Sequence, residues 1–117
     1  MILKALSIRQ PWAWAILHAG KPIENRDWYT SVRGTIALHV GKTYDQSGAS
    51  WIEMNFGVKI PSDLPLGGIV GTADLIECVR SHPSPWFFGP FGFVLGNPKE
   101  IPFIPMRGRL GFFAVEI

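Results

Sequence analysis

The chain has 117 residues and a formal net charge of +2, with 47% hydrophobic and 17% charged residues. That balance excludes intrinsic disorder, and the length predicts one domain over residues 1–117. The 13 glycines and 10 prolines exclude a helical bundle, because they divide the chain into many short elements. No apolar run is long enough for a membrane span, and the single cysteine excludes an internal disulfide. The start of the chain lacks the layout of a signal peptide, so we expect a cytoplasmic protein without membrane association.

Charge is spread unevenly along the chain. Residues 1–42 carry six basic side chains and two acidic ones, whereas residues 43–106 carry three basic and six acidic ones. Such an asymmetry can create an electropositive face that attracts an anion such as a phosphate backbone. Uneven surface charge also arises by chance.

The first predicted elements are a strand over residues 1–8 and a helix over residues 11–19. Pro11 suits the first helical position, because its missing N–H costs nothing there. An apolar stripe at helical spacing follows it, and Gly20 can end the helix in a left-handed conformation. We expect residues 22–28 to be extended, with polar side chains on one side.

Strands dominate the rest of the chain. Residues 35–40 alternate, with isoleucine, leucine and valine on one face. A short helix follows, with Ser50 and Glu53 at the spacing of a capping box and Gly57 at its end. Further strands are predicted over residues 68–79, 91–95, 100–104 and 110–117. Together these elements predict an α+β, mostly β fold of about six strands and two short helices. Such a set of elements favours a small closed or nearly closed barrel.

Three short sequence patterns resemble known functional motifs, but each lacks a residue or a spacing that the motif requires. Gly-Lys-Thr at residues 41–43 follows a strand, but a phosphate-binding loop needs a glycine where Ile36 stands. The three histidines and Cys78 lack the spacing of metal ligands, so we predict no metal site. Gln-Ser-Gly at residues 46–48 lacks the preceding glycine of a nucleophile elbow.

One cluster of polar residues remains, in and around the extended segment. Glu24 and Arg26 project to the same face of a strand, and Lys21 lies just before them. A lysine beside a carboxylate and a guanidinium suits recognition or proton transfer. Trp12 and Trp28 offer flat surfaces on which a base can stack. The alternatives are a structural Glu24–Arg26 ion pair and a tryptophan at position 12 that is a core residue.

Several runs of residues resemble the activating-signal-cointegrator homology (ASCH) domain family. They are LSIRQPWA at residues 6–13, GKPIENRDWY at 20–29, GTADLIEC at 71–78 and GFVLGNP at 92–98. The resemblance covers essentially the whole chain. It implies a PUA-like β-barrel with a cleft between the barrel and the first helix, and a role in binding RNA or DNA. Some members are enzymes acting on RNA or modified nucleosides.

The acetylcytidine amidohydrolase branch of that family allows a residue-by-residue comparison. There a lysine and a threonine three residues later carry the chemistry, and an arginine follows two residues further on. Lys21 and Arg26 match this pattern, but Glu24 stands at the threonine position. A counterpart of the branch's third catalytic residue, a glutamate from a helix, is not evident.

We therefore expect a single ASCH domain that binds nucleic acid, RNA rather than DNA, without a cofactor. The first alternative is a hydrolase acting on RNA or a modified nucleoside, either amidohydrolase-like or ribonuclease-like, with Lys21 and Glu24 as the candidate catalytic residues. The second alternative is an interaction scaffold with no small ligand. The ligand, a single strand or a nucleoside-like small molecule, is expected in one cleft beside the first helix. The predicted binding residues are Gln10, Trp12, Lys21, Glu24, Arg26, Trp28 and Lys42.

Overall fold

The computed structural model describes residues 1–117 as six strands and two helices. The strands are β1 (Ile2–Ser7), β2 (Ile23–Arg26), β3 (Gly34–Val40), β4 (Gly68–Val79), β5 (Phe91–Pro105) and β6 (Phe112–Glu116). The helices are α1 (Trp12–His18) and α2 (Gln46–Phe56). The predicted α+β class with two short helices is confirmed. Neither helix is long and apolar enough to cross a membrane.

All six strands form one curled sheet, in the order β2-β5-β4-β3-β1-β6. β1 and β3 run parallel, and the other neighbours are antiparallel. Hydrogen bonding leaves the sheet open, with β2 and β6 as its edges. Aromatic side chains connect β5 and β6, which do not pair by hydrogen bonds. Phe93 stacks on Phe112 with 6.1 Å between ring centroids, and Trp28 lies edge-on to both. The sheet thus encloses a core although its edge strands do not pair.

β3 is buried on both faces, because it lies near the middle of the sheet. Every residue from Ile36 to Val40 is buried. The predicted apolar face lies in the main core, and the opposite face is covered as well. There Ala37 packs with Ala5, Ile69 and Val115.

β5 is one continuous strand, whereas the sequence suggested two strands over residues 91–95 and 100–104. Asn97 and Pro98 of β5 lie opposite the single residue Ala73 of β4, which marks a bulge. A bulge accommodates a proline that cannot donate a ladder hydrogen bond. The Gly-Asn-Pro run, which suggested a break between two strands, therefore shifts the pairing of β5 with β4 but does not end β5.

The start of α2 differs from the prediction. The prediction of a capping box at Ser50 and Glu53 is wrong. Asp45 caps the helix by accepting a hydrogen bond from the backbone N–H of Gly48, at 2.9 Å. Ser50 lies inside the helix, and Glu53 accepts from the N–H of Ile60 beyond it. Gly57 ends the helix with a φ of 65°, as predicted.

Candidate functional site

A cleft of about 920 Å³ lies where α1, β2, the start of α2 and residues 88–90 meet. We call it the aromatic cleft. Four aromatic side chains line it: Trp12, Trp28, Trp51 and Phe88. Three basic and three acidic side chains also line it: Arg9, Lys21, Arg26, Glu24, Asp27 and Asp45. Apolar walls with a few converging polar groups are typical of sites for small ligands.

Lys21, Glu24 and Arg26 form an ion-paired triad in the cleft wall. Lys21 Nζ donates to Glu24 Oε1 at 2.9 Å and to the carbonyl of Ile23. Arg26 Nη2 lies 3.2 Å from Glu24 Oε2 and donates to the carbonyl of Ser7 at 2.6 Å. Each oxygen of the Glu24 carboxylate therefore holds one cation. The Lys21 side chain is only 1% exposed, so the pair is largely removed from water.

The triad keeps donors that have no hydrogen-bond acceptor within the protein, although the Lys21 ammonium also lies 5.6 Å from the centroid of the Trp12 ring in a cation–π contact. Two acceptors account for two of the three hydrogens on the Lys21 ammonium. The Nε of Arg26 is buried and has no partner. Buried polar groups without partners are rare and call for an explanation. Both side chains lie in the wall of the cleft, so a ligand oxygen could reach these donors only after a small movement of the wall.

The Trp12 indole is held against the start of α2. Its Nε1 donates to Asp45 Oδ2 at 2.9 Å, while Ser47 and the N–H of Gly48 donate to Oδ1. These hydrogen bonds, chiefly the one from Trp12, hold the pKa of Asp45 below its usual value. A Cβ at position 48 would lie 2.6 Å from the indole, so glycine permits this close approach. Trp51 lies 6.0 Å from the Trp12 ring, between centroids.

Tyr44 precedes this cap and packs against a buried apolar cluster that includes Ala49 and Ile52 of α2. Burial raises the pKa of its phenol, and the nearby carboxylates of Glu53 and Asp45 raise it further. The phenol is therefore neutral at physiological pH. Tyr44 does not line the aromatic cleft.

Asn25 positions the far wall of the cleft. Its side-chain amide donates to the carbonyl of Trp86 at 2.9 Å. Its side-chain oxygen accepts from the N–H groups of Phe88 and Gly89, at 2.8 and 3.0 Å. Phe88 is 62% exposed and packs edge-on to Trp51 with 5.2 Å between ring centroids. One residue of β2 thus places an exposed aromatic ring at the mouth of the cleft.

The structure brings together five of the seven predicted binding residues, namely the triad with Trp12 and Trp28. Gln10 lies outside the cleft and is 2% exposed. Its side chain accepts from the N–H of Trp14 and donates to the carbonyl of Pro65. It therefore satisfies an N–H group in the first turn of α1 that has no helical partner. Lys42 lines a different cavity.

Sequence reasoning missed five charged or aromatic residues of the cleft, namely Arg9, Asp27, Asp45, Trp51 and Phe88. A clue existed for Trp51, because it lies off the apolar stripe of α2 that positions 49, 52 and 56 form. The contacts of Asn25 with the Phe88 segment span more than 60 residues. No local pattern encodes them.

Comparison with known proteins adds a family match. The family model described as the ASCH domain matches residues 6–92, a range that contains every residue lining the aromatic cleft. The proteins named Activating signal cointegrator 1 of Homo sapiens and Mus musculus are each 29% identical over an alignment 120 positions long, which covers 89% of this chain. The chain spans only 21% of the length of these two relatives. The resemblance inferred from the motifs is confirmed.

Proposed function

Because the chain belongs to the ASCH domain family, we propose that it is a nucleic-acid-binding domain that takes single-stranded RNA into the aromatic cleft. Membership of the family supports nucleic-acid binding in general. One observation carries the more specific proposal: four aromatic rings line one cleft together with a buried triad whose donors are not all paired. We also propose a cytoplasmic location, with which a chain that needs no disulfide is compatible.

The cleft offers the two kinds of contact that an unpaired base uses. A base has a π face, and stacking on an aromatic side chain contributes about 1–3 kcal/mol per base. Its edge carries carbonyl oxygens that accept hydrogen bonds, and Lys21 and Arg26 line the cleft with donors that have no acceptor within the protein. Double-stranded nucleic acid does not present a base in this way, so a single strand is the better fit.

Carboxylates in the cleft favour RNA over DNA. Asp27 is exposed at the cleft, and Glu24 and Asp45 also line it. A carboxylate oxygen accepts a hydrogen bond from a ribose 2′-hydroxyl, which DNA lacks. Carboxylates also repel phosphates, so the cleft suits a base and ribose better than a phosphate.

The test is a tryptophan-fluorescence titration at low salt with single-stranded RNA and DNA of the same sequence. We expect the wild type to bind RNA more tightly than DNA. Lys21→Met should weaken binding by at least about tenfold, the equivalent of one charge-assisted hydrogen bond. Lys59→Met is the matched control, because Lys59 is exposed and lines neither cavity. Absence of binding by the wild type at low salt would refute the proposal.

The buried Lys21–Glu24 pair supports a second candidate, a hydrolase acting on RNA or a modified nucleoside. A lysine and a carboxylate 2.9 Å apart in an accessible cleft are suited to proton transfer. The assay is turnover of acetylated cytidine and of labelled RNA, by the wild type and by Lys21→Met. Turnover that disappears in the variant supports this candidate. Binding without turnover leaves the binding domain as the function.

A further inference from the structure

A second cavity, of about 690 Å³, lies beside the aromatic cleft and carries charge of one sign. We call it the basic pocket. Its charged side chains are Lys42, Arg107 and Arg109, and no carboxylate lines it. All three side chains are exposed. The four salt bridges of the protein involve other residues, so these cations have no acidic partner within the chain.

The segment that carries both arginines is held in place by buried contacts. His39, which is 1% exposed, donates from Nε2 to the carbonyl of Met106 at 2.7 Å. Gly108 lies so close to His39 and Ser7 that a Cβ there would be 2.6 Å from the imidazole and 2.7 Å from the Ser7 hydroxyl. These contacts fix the backbone from which Arg107 and Arg109 project.

Lys42 reaches the same cavity from the end of β3. The N–H of Gly67 donates to the carbonyl of Val40, and the N–H of Met106 donates to the carbonyl of Gly67. The Lys42 side chain lies against Gly67, where a Cβ would be 3.6 Å from its Cε. Segments far apart in sequence thus deliver three cations to one cavity.

This arrangement favours an anion with several oxygens. Three cations that line one cavity repel one another, and a bound anion would relieve that repulsion. The planar guanidinium presents donors in a fork that matches two oxygens of a phosphate. The aromatic cleft, with equal numbers of basic and acidic side chains, has no such preference.

Ser7 connects the two cavities, because it lines both. Its carbonyl accepts from Arg26 of the triad, and its hydroxyl lies 2.8 Å from Nδ1 of His39. A nucleotide whose base enters the aromatic cleft would therefore have neighbouring backbone close to the basic pocket.

We propose that the basic pocket binds a backbone phosphate of the strand whose base occupies the aromatic cleft. The proposal rests on the proposed function. It assigns affinity for the charged backbone to Lys42, Arg107 and Arg109, and recognition of the base to the cleft.

The first test compares two triple variants that remove the same charge. One replaces the three cations of the pocket by glutamine: Lys42→Gln, Arg107→Gln and Arg109→Gln. The control replaces three exposed lysines that line neither cavity: Lys4→Gln, Lys59→Gln and Lys99→Gln. We expect the pocket variant to bind single-stranded RNA at least about tenfold more weakly than the control in low salt, because contacts to phosphates dominate such affinity. The slope of log K against log salt should also be smaller, by about 0.7 for each phosphate that the variant no longer neutralises.

The second test uses inorganic phosphate and does not depend on RNA. In an NMR titration, the amide signals of Gly67 and Gly108 should shift more than those of Gly48 and Gly89 in the aromatic cleft. The shifts should disappear in the pocket variant.

The outcomes separate this proposal from the proposed function. Equal RNA binding and equal salt slopes of the two triple variants would overturn the basic pocket alone, provided that Lys21→Met still weakens binding. No RNA binding by the wild type would overturn both. Phosphate shifts spread over the surface, with no preference for Gly67 and Gly108, would also overturn the basic pocket.

Discussion

Replacing Glu24 by glutamine tests whether the triad is a buried, mutually dependent unit. The substitution keeps the size of the side chain and removes the charge that Lys21 and Arg26 share. Breaking a buried ion pair by removing one partner costs about 3–5 kcal/mol. We expect the lower end of this range, because the Glu24 side chain is 12% exposed and Arg26 keeps its hydrogen bond to the carbonyl of Ser7. We expect Glu24→Gln to lower the free energy of unfolding by about 3 kcal/mol.

Urea unfolding followed by circular dichroism measures this loss. For a domain of this length, about 3 kcal/mol corresponds to a melting temperature lower by roughly 10 °C. Glu77→Gln is the control, because Glu77 is exposed on β4 and makes no salt bridge. The double variant Lys21→Met/Glu24→Gln should recover about 1 kcal/mol or more relative to the sum of the single changes, since it removes the unpaired ammonium. A Glu24→Gln protein within about 0.5 kcal/mol of the wild type would refute the buried triad.

Three further substitutions test the walls of the cleft. Gly48→Ala should destabilise the protein by about 1–3 kcal/mol in urea unfolding, because its methyl group would collide with the indole above it; Gly41→Ala, with open space at its Cβ, should change stability far less. Asp45→Asn should lower stability at pH 7. Since the pKa of that carboxyl is lowered in the folded state, the ionised carboxylate stabilises the fold above its unfolded pKa of about 3.8, and this stabilisation is lost as the pH falls through the folded pKa. The difference from the wild type should therefore shrink in unfolding measured near pH 3, and a constant difference would contradict the assignment. Asn25→Ala should speed amide hydrogen exchange at residues 86–89 by removing three hydrogen bonds; unchanged exchange there would contradict its anchoring role.

Much of the fold was predictable because local patterns encode it. The helical stripe after Pro11 and the alternation over residues 35–40 each predicted the element that is found. The start of α2 was assigned wrongly although its signal is local, because Asp45 accepts from the N–H of Gly48 three residues later. Contacts between distant residues could not be predicted from local patterns: the hydrogen bond from the Trp12 indole to Asp45 spans 33 residues.

The candidate site was only partly predictable, for the same reason. Glu24 and Arg26 share a face of one strand, so their proximity follows from the period of the strand. The basic pocket joins Lys42 to Arg107 and Arg109 from the other end of the chain. A charge count along the sequence places these cations in different segments, so it does not predict that they lie together. The fold of the sheet brings them to one cavity.

The central claim is that the aromatic cleft holds a base of single-stranded RNA. The most direct measurement is the set of intermolecular nuclear Overhauser effects between a short RNA and the protein. The account predicts contacts from base protons to the indole protons of Trp12 and Trp51 and to the ring of Phe88. Base contacts confined to another surface, with these rings unaffected, would contradict it.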